Sequence, residues 1–143
     1  MALREVYEDA IRTCDKSLYS QEQIEAWSAL AYLPGILDKP LKQGVGWVSC
    51  VTQTIEAFAL KYPHNRLALL YCRGRSSRQG HATALLNQIE ADTLKDRPIT
   101  LKTEASLCSY QLLLRHGWTI IAPEEIQIGG VHFSRYLMEK TLY

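Results

Sequence analysis

The strongest constraint on the fold is an apolar run, RLALLYC (residues 66–72), that passes directly into a stretch of arginines and small residues. A strand that is apolar at successive positions has no solvated face, so it belongs in the middle of a sheet. The next segment, RSSRQGHATALL (75–86), opens a helix with apolar positions on one face: Ala82, Leu85, Leu86 and Ile89. We therefore expect a helix that starts where a central strand ends.

Hydrophobic periodicity predicts the other helices. An amphipathic stripe indicates a helix over residues 3–14, and Ser20 with Gln23 makes a capping-box pattern that opens a second helix ending before Pro34. A short helical turn follows, and a further helix has Ser106 as its candidate N-cap and Gly117 as its stop.

Strand patterns complete the order of elements. Val-rich, aromatic or alternating segments predict strands at 45–51, 54–62, 99–105 and 118–122, and a hairpin over 124–140. Gly129-Gly130 in that hairpin favours a type I′ turn. The order predicts one α/β or α+β domain, residues 1–143, with a mixed sheet.

Bulk properties exclude several classes of protein. The formal net charge is +1, so the totals indicate no basic surface for nucleic acid or membrane. No segment is apolar enough to span a membrane, and charged residues interrupt any signal peptide: Arg4, Glu5, Glu8 and Asp9. We expect a cytoplasmic protein.

The cysteines and histidines suggest no metal. Four cysteines (Cys14, Cys50, Cys72 and Cys108) make no C-x-x-C pair, which argues against a zinc ribbon or a thioredoxin-like motif. His116 and His132 have no metal-ligand spacing. We expect free, buried thiols in a reducing compartment and no metal site.

The stretch RSSRQGHATALL has the composition of an anion site. The first N–H groups of a helix lack intrahelical partners and carry partial positive charge. Gly80 and Ala82 leave that backbone uncrowded, and no acid between residues 57 and 89 neutralises the nearby arginines, Arg73, Arg75 and Arg78. A phosphate or pyrophosphate site is one interpretation, and a merely solvated loop is the other.

Known phosphate motifs do not match this stretch. It has no Gly-Lys-Ser/Thr of a P-loop. A dinucleotide fingerprint needs three glycines, and only Gly74 and Gly80 are present.

The segment LLYCRGRSSRQGHATALL (69–86) resembles the cofactor-binding segment of the GNAT superfamily of acetyl-CoA-dependent N-acetyltransferases, Q/R-x-x-G-x-G/A after L-Y-V-x-P. Gly74 stands at the usual proline, Gly80 at the fixed glycine and Ala82 at the second small residue. TEASLCSYQLLLRHGW (103–118) resembles the second family segment. YSQEQIEAW (19–27) and the tail IQIGGVHFSRYLMEK resemble a branch of small bacterial acetyltransferases, so the resemblance covers almost the whole chain.

The resemblance implies a fold and a cofactor. It implies a mixed, mostly antiparallel sheet flanked by helices, and transfer of an acetyl group from acetyl-CoA to a primary amine by direct attack. A backbone amide of the central strand would polarise the thioester carbonyl. The residues that it assigns to the cofactor are Leu70, Tyr71, Cys72, Ser77, Arg78, Gln79, Gly80, His81, Ala82, Thr83 and Ser109.

Three departures from the family pattern matter. Ser77 replaces the Gln or Arg that opens the loop. Leu113 replaces the tyrosine that protonates the departing thiolate, and Tyr110 is the candidate substitute, with plain packing as its alternative. The chain also begins almost directly in a helix, so the family's first strand is expected to be missing and a homodimer to cover the exposed sheet edge.

The sequence does not decide which residue is the general base or which amine is the acceptor. Glu56 and Glu104 are the candidate bases, each with a purely structural alternative. Trp27 is expected on the acceptor side, and the acceptor itself is a small-molecule or peptide amine. Besides an enzyme, the sequence allows a non-catalytic acyl-CoA-binding module or a scaffold with the fold alone.

Overall fold

The computed structural model describes residues 2–143, and only Met1 lies outside this range. The α-helices are α1 (Ala2–Arg12), α2 (Gln21–Ser28), α3 (Asp38–Gln43), α4 (His81–Thr93) and α5 (Tyr110–Arg115). The strands are β1 (Val45–Val51), β2 (Thr54–Lys61), β3 (Arg66–Cys72), β4 (Ile99–Ala105), β5 (Thr119–Ile128) and β6 (Val131–Leu142). Short 3-10 turns cover Ala29–Tyr32, Gly74–Ser76 and Leu94–Asp96.

The six strands form one sheet in the order β1-β2-β3-β4-β6-β5. All neighbouring pairs are antiparallel except β3 and β4, which are parallel. This mixed, mostly antiparallel sheet between helices confirms the predicted fold class. β3 is internal, as its apolar sequence predicted, and β1 lies at an edge.

Two apolar cores lie on opposite faces of the sheet. Ala57 and Ala59 of β2 face the core beneath α4 and α5, whereas Phe58 and Leu60 face the core beneath α1 and α2. Successive side chains of a strand point to opposite faces, so β2 contributes to both cores. The sheet is therefore covered on both sides, which the run of buried residues in β2 requires.

The predicted helix starts are confirmed in one case and wrong in another. At α2, the Gln23 N–H donates to Ser20 Oγ at 3.1 Å and the Ser20 N–H donates to Gln23 Oε1 at 2.9 Å, which confirms the capping box. At α5 the N-cap is Ser109, so the prediction of Ser106 is wrong. Ser106 instead begins a turn, because its carbonyl accepts from the N–H groups of Ser109 and Tyr110.

The last hairpin is longer than the sequence predicted. β5 runs without a break from Thr119 to Ile128 and includes Pro123, where the sequence analysis divided it. Proline is tolerated there because β5 is an edge strand, with one side free of ladder hydrogen bonds. Gly129 and Gly130 have φ of +57° and +78°, which fits the predicted type I′ turn.

Two of the four cysteines are not free. Cys14, just after α1, and Cys108, just before α5, form a disulfide with their Cα atoms 6.5 Å apart. The expectation of four free, buried thiols is therefore wrong for this pair, and it is also wrong for Cys50, which is free but exposed. The two residues are 94 positions apart, so only folding brings them together.

Across residues 2–143, none of the helices combines the length and the apolar character needed to cross a lipid bilayer.

Candidate functional site

β3 and β4 pair over only two residues each, at the start of β3 and in the middle of β4. Their parallel register joins Arg66 to Lys102 and Leu67 to Thr103. The Thr103 hydroxyl closes this short ladder by donating to the Leu67 carbonyl at 2.7 Å. Beyond this point the described strands separate, although β3 still pairs with β2 as far as Cys72. The carboxyl end of β3 therefore has one unpaired edge, which faces a gap in the middle of the sheet.

The gap leads to the N-terminus of α4. The first intrahelical bond runs from the Ala84 N–H to the Gly80 carbonyl at 3.0 Å. Within residues 2–143, the N–H groups of His81, Ala82 and Thr83 find no acceptor. Gly80 has φ of +89°, and a Cβ there would meet no atom within 4 Å. The helix start is therefore open and rich in donors, as an anion site requires.

The arginines before α4 are not all available to a ligand. Arg75 donates to both carboxylate oxygens of Glu56, at 2.9 and 2.6 Å, and Ser76 Oγ donates to the same carboxylate at 2.5 Å. Arg73 Nε donates to the Ile55 carbonyl at 2.9 Å. The inference that no acid neutralises these arginines is wrong, because Glu56 on β2 lies beside them in space.

Arg78 is the exception among the loop arginines. No ion pair or hydrogen bond of its side chain is found within residues 2–143. Its φ is +61°, a left-handed conformation that a non-glycine residue adopts only when its surroundings hold it there. Arg78 and the first N–H groups of α4 thus remain available as donors to an anion.

Helix α1 anchors the loop. Asp9 Oδ2 accepts from the Gly74 N–H at 2.8 Å. A Cβ on Gly74 would lie 2.4 Å from the Thr13 hydroxyl, so only glycine permits this approach of the loop to α1. Glycine at the position of the family's usual proline is therefore explained by packing.

A cleft of about 880 Å³, the β3–α4 cleft, lies beside these donors. Its lining includes most of the predicted cofactor residues: Leu70, Tyr71, Cys72, Ser77, Arg78, Ala82 and Ser109. The others (Gln79, Gly80, His81 and Thr83) lie at or just before the start of α4 and outside the lining. The structure thus gathers the predicted residues along one path, from the edge of β3 to the helix start.

The His81 side chain contacts the edge strand β1. Its Nδ1 lies 2.6 Å from Ser49 Oγ on β1. This contact connects the start of α4 to the edge strand and positions the backbone of His81. The backbone N–H of His81, which has no acceptor within residues 2–143, remains free to donate.

A second cavity of about 400 Å³, the aromatic cavity, lies beneath α1 and α2. Its aromatic lining residues are Tyr7, Tyr19, Trp27, Tyr62, Tyr71 and Phe133. The aromatic cavity and the β3–α4 cleft share Trp27, Leu70, Tyr71, Ser106 and Ser109 in their linings. The two spaces therefore adjoin at the carboxyl end of β3.

The sequence analysis placed Trp27 on this side but missed Tyr7, Tyr19 and Phe133. Tyr7 on α1 and Tyr19 in the segment before α2 look like ordinary core positions in the sequence, and both side chains are indeed buried. Burial raises the pKa of Tyr71 to about 12 and raises that of Tyr7 as well, so neither phenol ionises at neutral pH. They form a neutral, apolar wall.

The candidate acid, Tyr110, and the candidate base Glu104 lie in different spaces. Tyr110 lines the β3–α4 cleft and packs on Tyr136, with ring centroids 4.8 Å apart. Leu113 is 2 % exposed and has no proton to donate. Glu104 lines the aromatic cavity, where its Oε2 accepts from Arg66 Nε at 3.0 Å.

Glu56 does not suit a general base. Hydrogen bonds from Arg75 and Ser76 hold the pKa of its carboxyl at about 2. A carboxylate that is so weakly basic and has both oxygens occupied has little tendency to accept a proton. We therefore correct the prediction for Glu56, whose carboxylate holds the loop before α4.

Comparison with solved structures shows which fold this arrangement of helices and strands has. A GCN5-related N-acetyltransferase from Rhodopseudomonas palustris superposes with a TM-score of 0.91 at 19 % identity, over 97 % of this chain and 87 % of that one. The chain has the GNAT fold. The GNAT fold also relates it to the PaiA N-acetyltransferase of Thermoplasma acidophilum in complex with coenzyme A, with a TM-score of 0.72 and 18 % identity over 99 % and 91 % of the two chains.

A third structure with this fold is an aminoglycoside 6′-N-acetyltransferase complexed with coenzyme A. Its TM-score is 0.63 at 14 % identity, over 97 % of this chain and 90 % of that one. No protein-family model and no curated protein sequence matches the chain. The relation to the GNAT fold therefore rests on similarity of three-dimensional structure.

Proposed function

We propose that this protein is an acetyl-CoA-dependent N-acetyltransferase that acts on a primary amine. The observation that supports this most is the separation of β3 from β4 directly in front of the open N-terminus of α4. One side of this path offers an unpaired strand edge to an amide-containing chain, and the end offers N–H donors to a diphosphate. Neighbours with the same fold are complexes with coenzyme A.

The donor set fits the cofactor. The N–H groups of His81, Ala82 and Thr83, with the Arg78 guanidinium, would hold the diphosphate, and Gly80 leaves it room. The edge of β3 near Leu70 would hold the pantetheine amides. When bound, acetyl-CoA supplies a thioester whose acyl carbon is open to attack by an amine.

Glu104 and Tyr110 are the proposed proton acceptor and donor. The neutral amine nitrogen bonds to the acyl carbon and the carbon–sulfur bond breaks. The amine proton passes through solvent to Glu104, and the Tyr110 hydroxyl gives a proton to the sulfur and regains one from solvent. Glu104 is the only carboxylate among the lining residues of the aromatic cavity.

Two measurements test the proposal. Calorimetric titration with acetyl-CoA reports binding, and release of free thiol in the presence of a panel of primary amines reports turnover. We expect binding, and thiol release only when an amine is present. Absence of acetyl-CoA binding by the folded protein would contradict the proposal.

A non-catalytic acyl-CoA-binding module is the second candidate. The buried Leu113, where the family's tyrosine stands, is the observation that favours it. Binding of acetyl-CoA without thiol release on any amine would support this alternative over the enzyme.

A homodimer through the sheet edge also remains a proposal. Val45, Val48 and Val51 of β1 are 49 %, 50 % and 50 % exposed, and edge strands with apolar side chains tend to pair. Sedimentation of the wild type and of Val48→Lys tests it. We expect a dimer that the lysine dissociates, and a wild-type monomer would contradict the idea.

A further inference from the structure

We propose that the acceptor is an aromatic monoamine that also carries a carboxylate, of the chemical class of an aromatic α-amino acid. This inference rests on the proposed function and names the substrate class of the same site. Three properties of the aromatic cavity support it: its walls, its charges and its size.

The walls suit a flat apolar body. The Tyr19 and Trp27 rings meet edge to face with centroids 5.2 Å apart, and Phe133 lies 6.3 Å from Trp27. Tyr71 completes the group at 6.4 Å from Trp27, next to the β3–α4 cleft. Aromatic rings in such contacts favour another ring over a flexible polar chain. An aromatic ring bound here would bring its attached amine towards the end of β3.

The charged side chains that line the aromatic cavity disfavour binding of a polycation. The ionisable cationic side chains that line the cavity are Lys39, Arg66 and Arg135, against the single carboxylate of Glu104. A polyamine or an aminoglycoside carries several ammonium groups, and each needs a carboxylate or is repelled. Since Arg66 already engages Glu104, no lining carboxylate is left for a second ammonium.

The same charges favour an anion on the acceptor. Lys39 has no carboxylate within ion-pair distance in residues 2–143, and its Nζ lies 6.0 Å from the Tyr62 ring centroid. Arg135 is paired with Glu124 but is itself in the lining, whereas Glu124 is not. A carboxylate bound in the cavity would therefore pair first with Lys39, because Glu124 already engages Arg135.

The size restricts the acceptor to a small molecule. A volume of about 400 Å³ lies near the lower end of ligand cavities, which span about 300–1,000 Å³. The apolar walls also favour the uncharged form of a bound amine, which is the nucleophilic form. One aromatic amino acid matches this space and this chemistry.

Matched pairs of acceptors test the inference. Acetyl transfer is measured with tryptophan against tryptamine and with phenylalanine against phenethylamine, and with spermidine as a polycation. We expect kcat/KM for each amino acid to exceed that of its decarboxylated amine by at least about tenfold, the lower limit for one hydrogen bond to a charged group. Spermidine should be the poorest acceptor. Preference for the decarboxylated amines, or for spermidine, would overturn the inference.

Two variants test whether cations of the aromatic cavity cause the preference for an acceptor with a carboxylate. Lys39→Gln should lower the ratio of kcat/KM for tryptophan over tryptamine, and Arg135→Gln should lower it less, because Glu124 already pairs with Arg135. Lys42→Gln is the matched control, because Lys42 lies on the same helix α3 and outside the cavity lining. An unchanged ratio in both test variants would overturn the assignment of the carboxylate to these cations.

Binding separates failure of this inference from failure of the proposed function. Calorimetric titration with phenylalanine and with phenethylamine, in the presence of coenzyme A, needs no turnover. Tighter binding of phenylalanine supports the acceptor class even if no acetyl group is transferred. Thiol release with other amines, but not with aromatic amino acids, would support the transferase and contradict the acceptor class.

Discussion

Glu56 and Arg75 form a bidentate ion pair, in which Arg75 Nε and Nη2 lie 2.9 and 2.6 Å from the two oxygens of the Glu56 carboxylate. Glu56 lies on β2, and its side chain is 4 % exposed. Because Ser76 also donates to the same carboxylate, the loop between β3 and α4 is fixed to the sheet by one acidic residue. The loop that presents Arg78 and Gly80 therefore depends on Glu56 for its position.

The stability of the protein should depend on the ionisation of Glu56. Its pKa is about 2 in the folded protein and near 4.5 without the arginine and serine, so its contribution is present above pH 4.5. It is lost as the pH falls from there through about 2. We expect the free energy of unfolding, measured with urea, to fall over this range, and Glu56→Gln to flatten the dependence. An equally steep dependence in Glu56→Gln would contradict this.

Gly80→Glu should weaken binding of acetyl-CoA by at least about tenfold, because a carboxylate at the start of α4 repels a diphosphate and blocks its approach. Calorimetry measures the change. Gly130→Glu is the matched control, since Gly130 also has a positive φ, +78°, and open space around its Cα, but lies in the β5–β6 turn. Equal affinities of the two folded variants would place the diphosphate elsewhere.

Cys108→Ser should lower the free energy of unfolding by up to about 4 kcal/mol, because the disulfide to Cys14 closes a long loop of the unfolded chain. Urea denaturation with and without a thiol reductant measures the effect. Reductant should destabilise the wild type and leave Cys108→Ser unaffected. Cys50→Ser, at an exposed cysteine that is free of a disulfide, is the control and should behave as the wild type does. The same response of all three proteins to reductant would show that the bond contributes nothing.

Asp92→Ala should destabilise the fold more than Lys61→Met does. The Lys61 ammonium is buried on β2 and donates to Asp92 at 2.8 Å and to Thr93 Oγ1 at 2.9 Å. Removing Asp92 leaves a buried cation without its counter-charge, at a cost of about 3 kcal/mol. Removing Lys61 leaves Asp92 paired with Lys95 at 3.1 Å, so the loss should be smaller. Chemical denaturation of both variants checks the order, and the reverse order would contradict it.

Tyr110→Phe should lower kcat by about 100-fold or more if its hydroxyl protonates the departing sulfur. Binding of acetyl-CoA should change little, since the ring is kept. Tyr136→Phe is the matched control, because Tyr136 packs on Tyr110 and lies outside both cavities. An unchanged kcat in Tyr110→Phe would mean that solvent supplies the proton and that Tyr110 only packs.

Much of the fold could be predicted from local pattern. The strand 45–51, the capping box of Ser20 and the Gly129-Gly130 turn each follow from the residues that form them. The N-cap of α5 was misplaced because Ser106 and Ser109 are equally good in sequence, and the turn between them selects the second. Local chemistry alone does not choose between two such neighbours.

The sequence by itself determined the elements, their order and the open helix start at Gly80, because periodicity and backbone preference are local properties. The tertiary structure alone decided which charges remain free and which aromatic rings meet. Glu56 on β2 neutralises Arg75 in the loop after β3, and Phe133 on β6 meets Tyr19 and Trp27, which lie far from it in the chain. The physical reason is that ion pairing and packing depend on distances in space. Residues far apart in the sequence come within such distances only when the strands pair and the chain folds.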